Sequence, residues 1–220
     1  EKAGFKDAYR VEVLPEGVDP MDIRYNVIQW VHRATRGWSY GNAVSDPRTG
    51  EIIKGVVTLG SQRVRQDILI AEALLAPYGK GTARQGLAEQ MALARLRQLS
   101  AHEVGHTLGF AHNFAASLKG NGSVLDYPHP IVKLDASGGI SIADAYGVGM
   151  GAWDDYVVKH AYAQFDPSTE TEALTRLRAE AKAAGLAHVS GNEARSAGSM
   201  HSGGVLWDFG GDPLQAWDQL

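Results

Sequence analysis

The chain has 220 residues, enough for one domain, or one domain built from two lobes, with a sizeable buried core. Its 44% hydrophobic and 21% charged residues are ordinary for a globular protein, and a net charge of −4 gives no electrostatic case for binding nucleic acid or an anionic membrane surface. There is no cysteine, which excludes disulfides and thiolate metal sites, so any metal must be held by nitrogen and oxygen.

The opening EKAGFKDAYR has no apolar leader and reads as the tail of a helix stopped at Gly4, as expected of a fragment of a longer protein. No stretch approaches the roughly eighteen consecutive apolar residues of a membrane span. YRVEVL (9–14) alternates polar and apolar residues as a strand does, and IRYNVIQWV (23–31) is β-branched and aromatic enough for a buried strand. WSYGNAVSD (38–46) and EIIKGVVTLG (51–60) flank DPRTG, so a hairpin with a Pro/Gly turn is predicted there.

From Gln62 the period becomes helical. QDILIAEALLAPYG should be a helix ending near Pro77 and Gly79, and residues 81–110 a long one rich in Ala, Leu, Arg and Gln. Leu93, Leu96 and Leu99 recur at helical spacing and are expected on its buried face, with Arg84, Arg95 and Arg97 on a solvated face. Residues 113–152 carry the Gly, Asn, Ser, Asp and Pro of loops. Helices are predicted over 153–165, with Asp154 and Asp155 near the N-terminus, and over 169–185, closed by Gly185. The Gly-rich tail from Ser196 should be irregular.

The chemistry is concentrated in SAHEVGHTLGFAHN (100–113). Residues four apart share a helix face, so His102 and His106 can present two imidazoles to one ion. Gly109 tolerates the positive φ at which a helix stops, and the turn can swing His112 round as a third nitrogen ligand. Three imidazoles suit Zn²⁺ and leave its fourth position open, as catalytic sites do. Glu103 borders the ion without needing to bind it, and is placed to act as general base and then acid toward zinc-activated water. A helix end with three solvated histidines, or a zinc site without chemistry, are the alternatives.

HEVGHTLGFAH resembles the elongated H-E-x-x-H-x-x-G-x-x-H signature of the metzincin metalloendopeptidases. SVLDY (123–127) stands where that family has its Met-turn and resembles the S-x-M-x-Y form of astacins and serralysins, with Leu125 at the methionine position. The resemblance implies that Tyr127 binds the metal or stabilises the oxyanion. AGFKDA, DIRYNVIQWV and YGNAVSDPRTGEI extend the likeness to bacterial zinc-dependent metalloproteases of unknown function with a metzincin motif, over roughly residues 3–165 and more weakly beyond.

That resemblance implies an α+β fold: a single metzincin-like catalytic domain over 1–220, with a twisted mixed sheet and a long active-site helix in an upper lobe (about 1–109). A mostly irregular lower lobe (about 110–220) would complete it. It implies one catalytic Zn²⁺, an edge strand at 52–59 above the cleft, and a substrate pocket walled by Tyr127, Pro128 and His129. It also implies peptide or protein substrates, flanking domains, and a secreted, periplasmic or envelope location. The rival function is a non-catalytic zinc-containing domain that binds extended peptides; hydrolysis of a non-peptide amide is a narrower one. His201 is a candidate further ligand or lid, Asp154 and Asp155 are expected to cap a helix rather than bind calcium, and His32, His160 and His188 have no partner pattern.

Overall fold

The structure is a computed structural model that describes residues 1, 4–34, 38–75, 83–198, 201–208 and 210–218. Strands β1 (Val27–Val31), β2 (Tyr40–Ser45) and β3 (Ile52–Gly60) form one mixed sheet in the order β1-β3-β2. β1 runs parallel to β3, pairing Val27 with Val56 and Trp30 with Leu59, and β2 runs antiparallel to it, pairing Gly41 with Val57. The predicted hairpin therefore forms, and its turn is held by Asp46, whose carbonyl accepts from Gly50 N–H at 2.8 Å.

Three strand expectations are corrected. Residues 9–14 form no strand: Val11 and Val13 are exposed, because alternation without a partner strand has nothing to pair with. The strand in 23–31 is confined to β1, where Val27 is buried while Ile28 and Trp30, which alternation puts on the opposite face, are about half exposed. β3 is the central strand rather than the edge, both of its sides being hydrogen-bonded, so the edge strand beside the helix is β2.

Helix α1 (Gln62–Leu75) pairs with α2 (Ala83–Thr107); the predicted end of α1 near Pro77 and Gly79 lies outside the described residues. The β3 face bearing Val57 and Leu59 packs on Leu99, Leu96 and Val104 of α2. A second cluster joins Ala71 and Leu75 of α1 to Ala88 and Met91 of α2 and to Ile142, Ala145 and Tyr146. The buried face of α2 differs from expectation. Leu93 is exposed, whereas Arg95, Gln98, His102 and Glu103 are buried in line with Ala88, Met91, Ala92 and Leu99. A helix that carries a polar site inward has to turn polar residues into the core. Arg95 thus leaves the solvated face assigned to it, Arg97 stays there, and the Arg84 side chain lies outside the described part.

Beyond α2 the chain is mostly irregular, as predicted, with a 3₁₀ turn at Ala116–Lys119 and a short hairpin of β4 (Lys133–Leu134) and β5 (Ile140–Ser141). Helices α3 (Ala152–Tyr162), α4 (Glu170–Ala183), α5 (Gly191–Arg195) and α6 (Pro213–Asp218) follow. Gly185 ends α4 with φ 70°, as expected. Gly4 has φ 97° and its N–H donates to Glu1 O. No helix among the described residues is long and apolar enough to cross a membrane.

Candidate metal centre

The C-terminal end of α2 builds the site. Gly109 has φ 88°, its N–H donates to His106 O at 3.0 Å, and Phe110 N–H donates to Gly105 O at 3.2 Å. This is the paired pattern with which a left-handed glycine closes a helix. The same turn delivers the Phe110 carbonyl to His106 Nδ1 at 2.7 Å and brings His112 back toward the helix. Tyr162 of α3 pins it from outside by donating to Leu108 O at 2.7 Å.

His102, His106 and His112 converge, with Nε2 of His106 3.1 Å from that of His102 and 3.2 Å from that of His112. His102 Nδ1 lies 2.7 Å from Val124 O. Carbonyls only accept, so Nδ1 carries the proton in both His102 and His106, and their Nε2 lone pairs face each other. Such an arrangement is repulsive unless a cation lies among them. Tetrahedral zinc with Zn–N near 2.0–2.1 Å would set neighbouring nitrogens about 3.3 Å apart, close to the contacts found. The three residues fit a metal ion, and they are the one such group among the described residues. Burial, aided by His106, lowers the His102 pKa to about 3; burial and then His106 and Arg195 lower that of His112 to about 4. Both rings are held neutral and available as ligands.

Comparison with models of known families matches residues 84–220 to Met-zincin. The chain belongs to the Met-zincin family. No curated protein and no solved structure matches it. The matched span takes in the C-terminal fifty residues, where the likeness read from the sequence was weakest, and omits the first 83. This Met-zincin chain is thus a zinc-metalloprotease-type domain with a three-histidine site suited to a metal.

Glu103 lies buried beside these histidines, 4% exposed, and burial pushes its carboxyl up to about 7 against the opposing pull of Gly41 N–H and Arg95. Gly41 belongs to β2, and a β-carbon there would sit 1.9 Å from Glu103 O, so the edge strand and α2 touch backbone to backbone. Leu125, 2% exposed, lies under the site with its Cδ2 against Gly105. Val124 O and Leu125 O, from the turn predicted to underlie the metal, accept from His102 Nδ1 and from Asn113 N–H at 3.1 Å.

That turn is anchored by Asp154 of α3. Its carboxylate accepts from Ser123 Oγ at 2.5 Å, Val124 N–H at 2.9 Å and Gly151 N–H at 2.7 Å. The expected helix cap is present, but the same side chain also clamps a turn thirty residues away in sequence. Asn113, fully buried, likewise ties the residue after His112 to Ala187 O and Val189 N–H.

Tyr127 stands edge-on to His112 at 4.7 Å between ring centroids and lies 5.8 Å from His102. Trp207 stacks on its other side at 5.0 Å and 25°. A tryptophan at φ 62° occupies a left-handed conformation that costs about 1–3 kcal/mol. Tyr127, Pro128 and His129 line a cavity of about 30 Å³ with Asp126, Ile131 and Asp208. It has room for roughly two waters.

His201 is not among the convergent histidines; its Nδ1 accepts from Gly203 N–H at 3.1 Å on the surface. His188 stacks on Trp153 and His160 packs on Tyr156. The sequence reading missed Trp207, the inward turn of Arg95 and Gln98, and the clamp by Asp154. An aspartate near a helix start was its one visible signal.

Proposed function

We propose that this chain is a zinc-dependent endopeptidase domain in which His102, His106 and His112 hold the metal. The convergence of three histidine nitrogens with Glu103 buried beside them on the same helix is the observation that carries this reading. Zinc bound there supplies Lewis acidity toward a peptide carbonyl and lowers the pKa of a water molecule. Glu103 takes the proton from the attacking water and returns it to the amide nitrogen of the leaving strand. Tyr127 donates its hydroxyl to the oxyanion.

β2, at the sheet edge and against Glu103, offers its outer backbone to an extended substrate. Pro128 and His129 would contact the residue that follows the scissile bond. The substrates are peptides or proteins, and the location is secreted, periplasmic or in the cell envelope, as the sequence resemblance implies. Cleavage of an unfolded protein by zinc-loaded chain, abolished by chelator and restored by zinc, tests the reading. A chain that holds one zinc, binds extended peptides and cuts none would instead be the peptide-binding domain.

A further inference from the structure

We propose that Arg95 and Gln98 form a buried positioning relay that fixes the orientation of His102, and through it the metal affinity of the site. The proposal rests on the metal-centre reading above. Both residues lie on the inward face of α2, Arg95 at 4% and Gln98 at 7% exposure, two turns and one turn respectively before the first histidine. Gln98 Nε2 donates to Val124 O at 2.8 Å, the same carbonyl that receives His102 Nδ1–H at 2.7 Å. Arg95 Nη1 donates to Gln98 Oε1.

The chemistry of the guanidinium is what makes this a relay. A glutamine amide can present either end, and the two ends differ little in shape. Arginine has donors only, so Gln98 Oε1 must face Arg95 and Nε2 must face Val124. The two peptide groups that flank Val124 are then both held, the first through Val124 N–H by Asp154 and the second through Val124 C=O by Gln98. With that carbonyl fixed, His102 Nδ1–H has one direction to point, and its Nε2 is aimed at the metal position.

Arg95 is itself held from three sides. Its Cζ lies 5.5 Å from the Tyr146 ring centroid; burial and then the Arg63 charge pull its pKa down, and Tyr146, Asp67 and Glu103 oppose that pull. Asp67, 1% exposed on α1, is paired with Arg63 at 2.8 Å. The relay therefore connects the α1–α2 pair to the ligand end of α2 through side chains and one peptide group.

The test is zinc affinity, measured by competition with a chromophoric chelator, together with the visible spectrum of the cobalt-substituted protein. Gln98→Glu keeps the pairing with Arg95 and removes the N–H given to Val124; Gln98→Met removes both bonds. Each should lower zinc affinity roughly ten- to a hundredfold and alter the cobalt bands. Arg95→Lys, which keeps the charge but not the planar fork, should fall between these and the wild type. Leu75→Ala, a core deletion outside the relay, should lower the unfolding midpoint and leave zinc affinity within twofold.

Should a Gln98 variant fail to fold, Arg95→Lys and the His102 Nδ1 proton of the wild type decide the matter. That proton should be resolved and slow to exchange in the zinc-loaded wild type, and exchange faster in Arg95→Lys. Folded Gln98 variants with wild-type zinc affinity, or a Leu75→Ala loss as large as theirs, overturn the relay. So does a fast-exchanging His102 proton in the wild type. A wild-type chain that binds no zinc overturns both the relay and the metal-centre reading. Absence of peptide cleavage bears on the endopeptidase reading alone, since none of these measurements uses a substrate.

Discussion

Leu125 packs its Cδ2 2.8 Å from where a β-carbon on Gly105 would lie, so the residue under the site and the helix above it are fitted at a glycine. Glycine inside a helix costs about 1 kcal/mol relative to alanine. The close approach of Leu125 accounts for its presence there. Leu125→Met conserves volume and should cost less than about 1.5 kcal/mol, leaving zinc affinity intact. Leu125→Ala opens a cavity beside Gly105 and should cost about 2–5 kcal/mol by urea denaturation. Gly105→Ala should be at least as damaging as the former, because Leu125 must give way.

Removing the clamp on the turn should be more severe. Asp154→Ala leaves Ser123 Oγ and Val124 N–H buried, and Gly151 N–H partly buried, without their acceptor. A loss of about 3–5 kcal/mol is expected, with weakened zinc binding in whatever remains folded. Thermal unfolding beside the conservative Asp154→Asn separates lost hydrogen bonds from lost charge. The asparagine should recover part of the loss by keeping one acceptor oxygen.

Two glycines should respond in opposite directions to alanine. At Gly41 the added carbon would strike Glu103 O at 1.9 Å, a backbone atom that cannot rotate away. Gly41→Ala should therefore cost about 3 kcal/mol or more and displace β2 from Glu103. Gly86, in α2 with nothing within 4 Å, should gain about 0.5–1 kcal/mol as alanine. Paired melting temperatures check both.

Burial raises the Asp126 carboxyl from 3.8 to about 6, outweighing the N–H groups of Tyr127 and Ser117 that favour its ionised form. A raised folded-state pKa means that the fold prefers the neutral acid. That contribution is fully present below about pH 4, and is lost as pH rises through about 6. The loss is on the order of 1–3 kcal/mol. Stability of the metal-free chain relative to Asp126→Asn should fall across that window. A flat difference from pH 4 to 7 would contradict it.

The three convergent histidines, the buried glutamate beside them and the helix stop were legible in the sequence because they are local. His102, Glu103, His106, Gly109 and His112 act within one helix and the turn that ends it, so spacing along the chain is spacing in the site. What supports them is not local. Asp154 reaches Val124 across thirty residues, Trp207 reaches Tyr127 across eighty, and Gly41 meets Glu103 between two elements. Much of that support runs through main-chain atoms, which no side-chain pattern records. The error over Arg95 has the same origin: arginine on a helix reads as solvated until an acceptor such as Gln98 Oε1 is found beside it. The edge strand was misjudged because the order β1-β3-β2 depends on a parallel pairing that chain order does not reveal.

The most direct test is digestion of a mixed peptide library, read by mass spectrometry, with zinc-loaded wild type beside zinc-loaded Glu103→Gln. Glutamine keeps the shape but cannot accept and return the proton. Cleavage by the wild type, and at least a thousandfold less by a variant holding the same one zinc, is the expected result. Equal cleavage by the two would contradict the role of Glu103, and no cleavage by a wild type that holds its zinc would contradict the endopeptidase itself.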